Sequence, residues 1–154
     1  EDKELAFIRK PDQERPVVSG ISGYDFLEIN EECLQNNYQN KDYIVTRIIE
    51  AWGTIEKYLN YGIGFIAVEG DRIAGMILGT ANYENILPID IETLKDHRKK
   101  GIATELTRRF LAYCYDNKLT AYWNCIISNA ESRNIAEKAG FQFIGSKDYY
   151  YFNI

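Results

Sequence analysis

The spacing of apolar residues changes several times along the chain, and each change predicts an element. Ile89, Ile91 and Thr93 alternate with Asp90 and Glu92, a period of two that predicts a strand with two chemically different faces. Beyond a polar turn, Ile102, Leu106, Phe110 and Tyr113 fall at i, i+4, i+8 and i+11, which is one stripe of a helix, with Arg108, Arg109 and Asp116 off it. From Lys41 to Tyr61 the residues Ile44, Ile48, Trp52, Ile55 and Leu59 keep helical spacing across Gly53, predicting one bent helix or two joined there.

The other segments complete an alternating plan. Tyr24 to Ile29 reads as a strand anchored by Phe26 and Ile29, and Asn30 as the N-cap of a short helix through Cys33 and Leu34. Gly62-Ile63-Gly64 ends the helical region. Phe65–Val68 and Arg72–Thr80 follow as a hairpin about Glu69-Gly70-Asp71, and Asn82–Asn85 is a second turn. Thr120–Ile127 is a strand, Asn129–Ala139 a helix closed by Gly140, and Phe141–Gly145 with Tyr149–Ile154 a final pair of strands. Residues 1–23 are weakly patterned, with turn signals at Lys10-Pro11-Asp12, Arg15-Pro16 and Ser19-Gly20; they read as a lead-in holding a short strand around Leu5–Arg9. Residues 24–154 then form a single α+β domain, a mixed and mostly antiparallel central sheet with helices on both faces.

Composition narrows the function classes. At 154 residues, 45% hydrophobic and 27% charged, the chain has the size and balance of one ordinary domain. A net charge of −5 argues against a dedicated binder of nucleic acid or anionic membrane, while the local run Arg98-Lys99-Lys100 still suits one anionic ligand. Cys33, Cys114 and Cys125 lack metal-ligand spacing and are odd in number, so they read as free thiols of a reducing compartment; the expectation is a cytoplasmic protein. Neither a run of eighteen apolar residues nor a charged-then-apolar leader occurs, so no membrane span or signal peptide is expected. The chain opens on Glu1 rather than Met, as a trimmed or partial chain would.

The turn between the organising strand and the long helix has its own chemistry. It can be written Arg98-x-x-Gly101-x-Ala103. The small residues let a ligand reach the backbone, and a helix start offers unpaired N–H groups and about half a positive charge, which suits a phosphate. A solvated basic turn that merely caps a helix is the competing reading.

This pattern resembles the phosphate-binding signature of the GNAT family of N-acetyltransferases, where it holds the pyrophosphate of acetyl-CoA. The resemblance extends over most of the chain. It implies donors from Arg98, Lys99, Lys100, Gly101, Ile102, Ala103 and Thr104, and a splayed strand pair in which Ile91, Glu92 and Thr93 lie along the pantetheine arm. Asn129 stands twelve residues before Phe141, and Lys138-Ala139-Gly140-Phe141 is similar to the family's closing motif; Asn129 and Ser132 join the implied cofactor set. One departure stands out. Many members carry a proton-donating Tyr four residues before that Gly, where this chain has Ala136. With Trp52, Gly62-x-Gly64-Phe65, Trp123-x-Cys125 and Asn129-x-x-Ser132-x-x-Ile135-Ala136, this resembles the subgroup that includes the zwittermicin A resistance acetyltransferase.

Acetyl transfer from a thioester to an amine needs a base, polarisation of the carbonyl and a proton for the leaving sulfur. Glu92 is the first candidate base, with Asp90 and Glu84 behind it, and a merely solvated strand face is the alternative. A backbone N–H near Thr93 is the carbonyl donor that the resemblance implies. Ser132, Cys125 or one of Tyr149, Tyr150 and Tyr151 would stand in for the missing Tyr. His97, the only His, reads as a surface or phosphate-loop residue, and nothing in the sequence activates Cys125 for a covalent route. The many Tyr residues mostly pack, though those on the last strand and first helical pair could line an acceptor pocket. The expectation is an acetyl-CoA-dependent N-acetyltransferase acting on a small-molecule amine, with no metal. The alternatives are a protein or peptide amine as acceptor, a non-catalytic CoA-binding sensor or partner domain, and a plain structural α+β domain. C-terminal edge strands could pair two copies as a homodimer.

Overall fold

The computed structural model describes residues 2–149. Its elements in chain order are β1 (Asp2–Arg9), β2 (Asp25–Glu28), α1 (Glu31–Gln35), α2 (Lys41–Trp52), α3 (Ile55–Tyr61), β3 (Gly64–Glu69), β4 (Arg72–Gly79) and β5 (Ile86–Thr93). After a 3-10 turn at Lys95–His97 come α4 (Ile102–Asp116), β6 (Thr120–Ile126), α5 (Ala130–Lys138) and β7 (Gln142–Tyr149). The strands form one sheet in the order β2-β3-β4-β5-β6-β1-β7, antiparallel throughout except for the β5–β6 pair.

Local chemistry accounts for most boundaries. The Asn30 side chain accepts from the Cys33 N–H and caps α1, and Thr54 does the same for α3 through Lys57. Gly53 lies between α2 and α3 at φ 87°, left-handed backbone that breaks the helical run in two. Each face of the sheet has its own core. On one side Ile44 and Ile48 of α2 and Tyr58 of α3 pack on Ile66, Met76 and Leu78; the buried Tyr58 hydroxyl is satisfied by the Ile29 carbonyl at 2.8 Å. On the other, Leu106 and Phe110 of α4 pack with Ala67, Ile77, Trp123 and Phe141.

Two sequence expectations change. The segment ahead of Tyr24 is no peripheral lead-in, because β1 runs the length of the sheet, pairing Leu5 with Cys125 and Phe7 with Trp123 on one side and Leu5 with Ser146 on the other. The short strand expected around Leu5–Arg9 is part of it, and its alternation buries Leu5, Phe7 and Arg9 with Ala6 and Ile8 on the opposite face. The first of the two predicted C-terminal strands extends past Gly145 to residue 149, and the second, Tyr149–Ile154, lies outside the described residues beyond its first position.

Residues 10–24 then form a strap across α4. Arg15 binds Asp116 in a fork, at 2.9 and 3.1 Å, near the end of the helix. Midway, Glu105 accepts from the Ser19 N–H at 2.9 Å and from Arg109 at 3.0 Å, while Arg109 also reaches the Ser19 carbonyl. The strap explains why a carboxylate of α4 is buried, with Glu105 only 1% exposed.

Candidate active site

β5 and β6 pair only at Ile86–Thr120, Leu87–Ala121 and Pro88–Tyr122, while residues 89–93 of β5 remain paired with β4. Pro88 is the last rung, and it has no N–H to give. Beyond it the strands separate, so backbone groups of β5 that point away from β4 face a gap instead of a neighbour. Three adjoining cavities run out of this gap. One of about 300 Å³ lies between Ile89–Ile91 and Trp123–Cys125. A second, about 250 Å³, reaches Thr93, Asn129 and Ser132, and a third, about 520 Å³, opens at the start of α4 beside Arg98, Gly101 and Thr104.

The start of α4 is built to be left open. Gly101 takes φ 81° as its N-cap and supplies no side chain to cover the first turn, so the N–H groups at 102–104 lack intrahelical acceptors. Lys99 is also left-handed, at φ 65°. Arg98 folds back so that its Nε donates to the Thr93 carbonyl at 3.0 Å, fixing its charge on the cleft wall. Lys100 lies instead over the Tyr24 ring at 5.9 Å and does not line the cleft. His97, read from the sequence as a surface or loop residue, is 6% exposed, with Nδ1 and the Tyr24 hydroxyl 2.8 Å apart, and so anchors the loop to the strap. Thr93 Oγ1 is buried without a hydrogen-bond partner where two of the cavities meet. An orphaned acceptor-donor and an open strand edge suit a long ligand carrying amides, and the open helix start suits its phosphates.

On the other face of β5 the two carboxylates share one cation. Arg47 of α2 places Nη2 3.2 Å from Asp90 and 3.0 Å from Glu92, all three side chains being about a third exposed. Burial pushes the Asp90 carboxyl above its ordinary range, with Arg47 opposing and Glu92 adding to the rise. The Arg47 guanidinium also stacks 5.3 Å from the Tyr43 ring centre, and the Tyr43 hydroxyl is buried without a partner beside these charges, its acidity suppressed by desolvation first and then by Glu92. Glu84 sits apart, exposed in the turn before β5.

The proton-donor candidates sort by position. Ser132 Oγ accepts from Trp123 Nε1 at 3.1 Å, and its hydroxyl lines the two inner cavities with the Cys125 thiol as a hydrogen-bonding neighbour. Cys125 lines the innermost cavity and burial pushes its thiol up; Cys114, pushed up to about 12, is sealed in the core. All three Cys are free and buried. Asn129 caps α5 by accepting from the Ser132 N–H at 3.1 Å and lines both inner cavities, so its amide nitrogen is the part left for a ligand. Ala136 is fully buried and offers no polar atom. Tyr150 and Tyr151 lie outside the described residues, as does the Tyr149 side chain.

Sequence reasoning missed Arg47, Tyr43 and the placement of Trp123. Tyr43 and Arg47 are four apart on α2 and so share a face, but only the tertiary fold sets that face over Asp90 and Glu92. Among the described residues no His, Cys, Asp and Glu group could hold a metal, and no helix is long and apolar enough to cross a membrane.

Known proteins match the chain in sequence and in fold. The family model described as GNAT acetyltransferase matches residues 10–150. The chain is 29% identical to the uncharacterized N-acetyltransferase YdfB of Bacillus subtilis strain 168 over 150 residues, which is 97% of this chain and 56% of that protein. Its fold is similar to that of a GCN5-related N-acetyltransferase-like protein from Streptococcus suis, with a TM-score of 0.67 and 17% identity over 93% of this chain and 60% of that one. It is also similar to an aminoglycoside acetyltransferase from an uncultured soil metagenomic sample, with a TM-score of 0.63 and 12% identity over 86% of this chain and 97% of that one. The chain thus spans little more than half the length of the curated relative.

Proposed function

Starting from a chain that belongs to the GNAT acetyltransferase family, we propose that it moves an acetyl group from acetyl-CoA directly to an amine, with a small-molecule amine as acceptor. The observation that carries this reading is the parting of β5 from β6 after Pro88, with an uncapped helix start at one end of the gap and paired carboxylates on the opposite face of β5. Acetyl-CoA, when bound, supplies an acetyl group activated as a thioester. The narrower likeness to the zwittermicin A resistance subgroup is part of the same proposal.

In this reading the N–H groups of Ile102, Ala103 and Thr104, with the charges of Arg98 and Lys99, hold the pyrophosphate. The free edge at Ile91–Thr93, the Thr93 hydroxyl and the Asn129 amide meet the amides of the pantetheine arm. The backbone near Thr93 polarises the acetyl carbonyl.

Glu92 takes a proton from the acceptor nitrogen, directly or through one water, with Asp90 as the second carboxylate of the pair. Arg47 holds Glu92 in place through their ion pair, and is a positioning residue. An acceptor ammonium is attracted by the same two carboxylates and can compete with Arg47 for them, which is why an amine is the substrate class. Ser132 donates the proton required by the leaving sulfur, held ready by the Trp123 N–H, and the neutral Cys125 thiol beside it is the alternative donor.

Thiol release followed with a panel of small amines and Lys-containing peptides tests this reading. Acetyl-CoA-dependent turnover on small amines, reduced about 10²-fold or more in Glu92→Gln, is expected. Turnover on peptides alone would move the acceptor to the protein class. Binding of acetyl-CoA without turnover on any amine would favour a sensor domain.

A further inference from the structure

The turn that opens α4 does not hold itself in shape. Lys99 at φ 65° and Gly101 at φ 81° are both left-handed, and a lysine rarely adopts that backbone. Such a turn persists only where its surroundings fix it. The bond from Arg98 Nε to the Thr93 carbonyl at 3.0 Å is one tie, and it uses a side chain for which a phosphate would compete.

The strap supplies further ties. Ile21 and Tyr24 close a tight turn, the Tyr24 N–H donating to the Ile21 carbonyl at 3.0 Å, and this turn rests against the start of α4. The Tyr24 hydroxyl and His97 Nδ1 are 2.8 Å apart with the two rings edge to face, and Lys100 Nζ stands 5.9 Å from the Tyr24 ring centre. Ile21 Cδ1 is 3.7 Å from where a Cβ on Gly101 would lie. Residues 97, 100 and 101 thus all meet the strap at Ile21 or Tyr24. His97 is buried, so its Nδ1 relies on that hydroxyl, which can donate or accept and so suits either ring tautomer.

The strap can serve as a fixed reference because it is pinned to the same helix. The Ser19 N–H donates to Glu105 at 2.9 Å and the Ser19 carbonyl accepts from Arg109 at 2.8 Å, while beyond Tyr24 the Phe26 ring centre lies 4.8 Å from the Arg109 guanidinium carbon. Ile21 and Tyr24 are therefore clamped on both sides, about one to two turns of α4 from the N–H groups at 102–104.

We propose that Tyr24, acting through His97, is a positioning residue for the cofactor's pyrophosphate: the pair latches the turn in the conformation that leaves the N–H groups of Ile102, Ala103 and Thr104 open. His97 lines the cleft, whereas Tyr24 is not part of its wall. This rests on the acetyl-CoA reading above. With the latch made, the turn is ordered before the cofactor arrives. Without it the cofactor must order the turn on binding, and the apparent affinity falls with the fraction of molecules in the competent form.

The test is calorimetric titration of the whole chain with acetyl-CoA, together with hydrogen exchange of the free protein. Tyr24→Phe keeps the ring and loses the hydroxyl; it is expected to bind acetyl-CoA about fivefold or more weakly, with faster exchange at residues 98–104 and unchanged exchange in β3 and β4. His97→Asn, which keeps a polar atom at the δ position, is expected to retain more of the parent's affinity than His97→Leu. Because the two residues act as a unit, the Tyr24→Phe, His97→Leu double variant should lose no more than His97→Leu alone. Parent affinity in Tyr24→Phe, or losses that add in the double variant, would overturn the proposal while leaving the acetyl-CoA site in place. Faster exchange spread through β3 and β4 would overturn it too, making Tyr24 a residue of the fold at large. Failure of the parent itself to bind acetyl-CoA would instead remove the reading on which the proposal rests, and the proposal with it.

Discussion

Replacing Arg47 by Met probes the carboxylate pair without emptying the space beside Tyr43. Arg47 makes two ion pairs, at 3.2 Å to Asp90 and 3.0 Å to Glu92, with all three groups about a third exposed. Each such partly solvated pair contributes roughly 0.5–1 kcal/mol, so the cation is worth about 1–2 kcal/mol to the ionised form of the pair. Arg47 favours the charged form of the carboxylates it faces, so its loss makes the coupled pair hold its proton to higher pH. The base acts when deprotonated, so the rate climbs with pH through that titration. Arg47→Met must therefore move the acid limb of kcat/KM for the amine upward in pH, with little change in the KM for acetyl-CoA. The assay is thiol release at saturating acetyl-CoA between pH 5 and 9, with Arg47→Lys as the conservative control that restores part of the shift. An acid limb that stays in place, or moves down, would refute the assignment of these carboxylates as the base.

Other expectations follow from individual contacts. Ser132→Ala strips the buried Trp123 N–H of its acceptor, costing about 1–3 kcal/mol by denaturant titration, and lowers kcat more than KM if Ser132 is the proton donor. Glu105→Ala leaves Arg109 and the Ser19 N–H unpaired under the strap; a loss of about 2–3 kcal/mol is expected, with faster proteolytic nicking of residues 10–24, and a loss within 0.5 kcal/mol would contradict the strap's role. Gly53→Ala forces a Cβ into left-handed backbone at φ 87° and should cost about 1 kcal/mol, read as a lower melting temperature. Asp90 is held above its ordinary range, so the folded state binds its proton more readily than the unfolded chain does. Its contribution is most stabilising below the ordinary Asp value and declines as pH rises through the folded-state value; Asp90→Asn should abolish that decline, and an unchanged stability profile would count against the shift.

How much of this was legible in the sequence depended on whether a signal was local. Gly53, Asn30 and the stripe Ile102–Leu106–Phe110 announce their elements because caps, breaks and periodicity act within a few residues. The basic turn was legible for the same reason, with Arg98 and Gly101 three residues apart and both on the cleft wall. Arg47 was not, since its meeting with Glu92 joins positions 45 residues apart through the register of α2 on the sheet. β1 was legible only as a short strand around Leu5–Arg9, not as a strand held between β6 and β7. Its partners lie more than a hundred residues away, and Arg9 at a buried position breaks the apolar alternation that marks a strand. Lys100 shows the limit of a motif, because a residue inside the basic run turns to Tyr24 and leaves the cleft to its neighbours.

The central claim is that the open start of α4 and the gap beyond Pro88 form one acetyl-CoA site. Calorimetric titration with acetyl-CoA of the parent and of an Arg98→Ala, Gly101→Asp double variant tests it most directly, because the variant removes a wall charge and sets a carboxylate at the uncapped helix start. Micromolar binding by the parent is expected, with at least a hundredfold weaker binding by the variant and an unchanged circular dichroism spectrum. Equal binding by the two would place the cofactor elsewhere, and no binding by the parent would return the loop to a solvated basic turn.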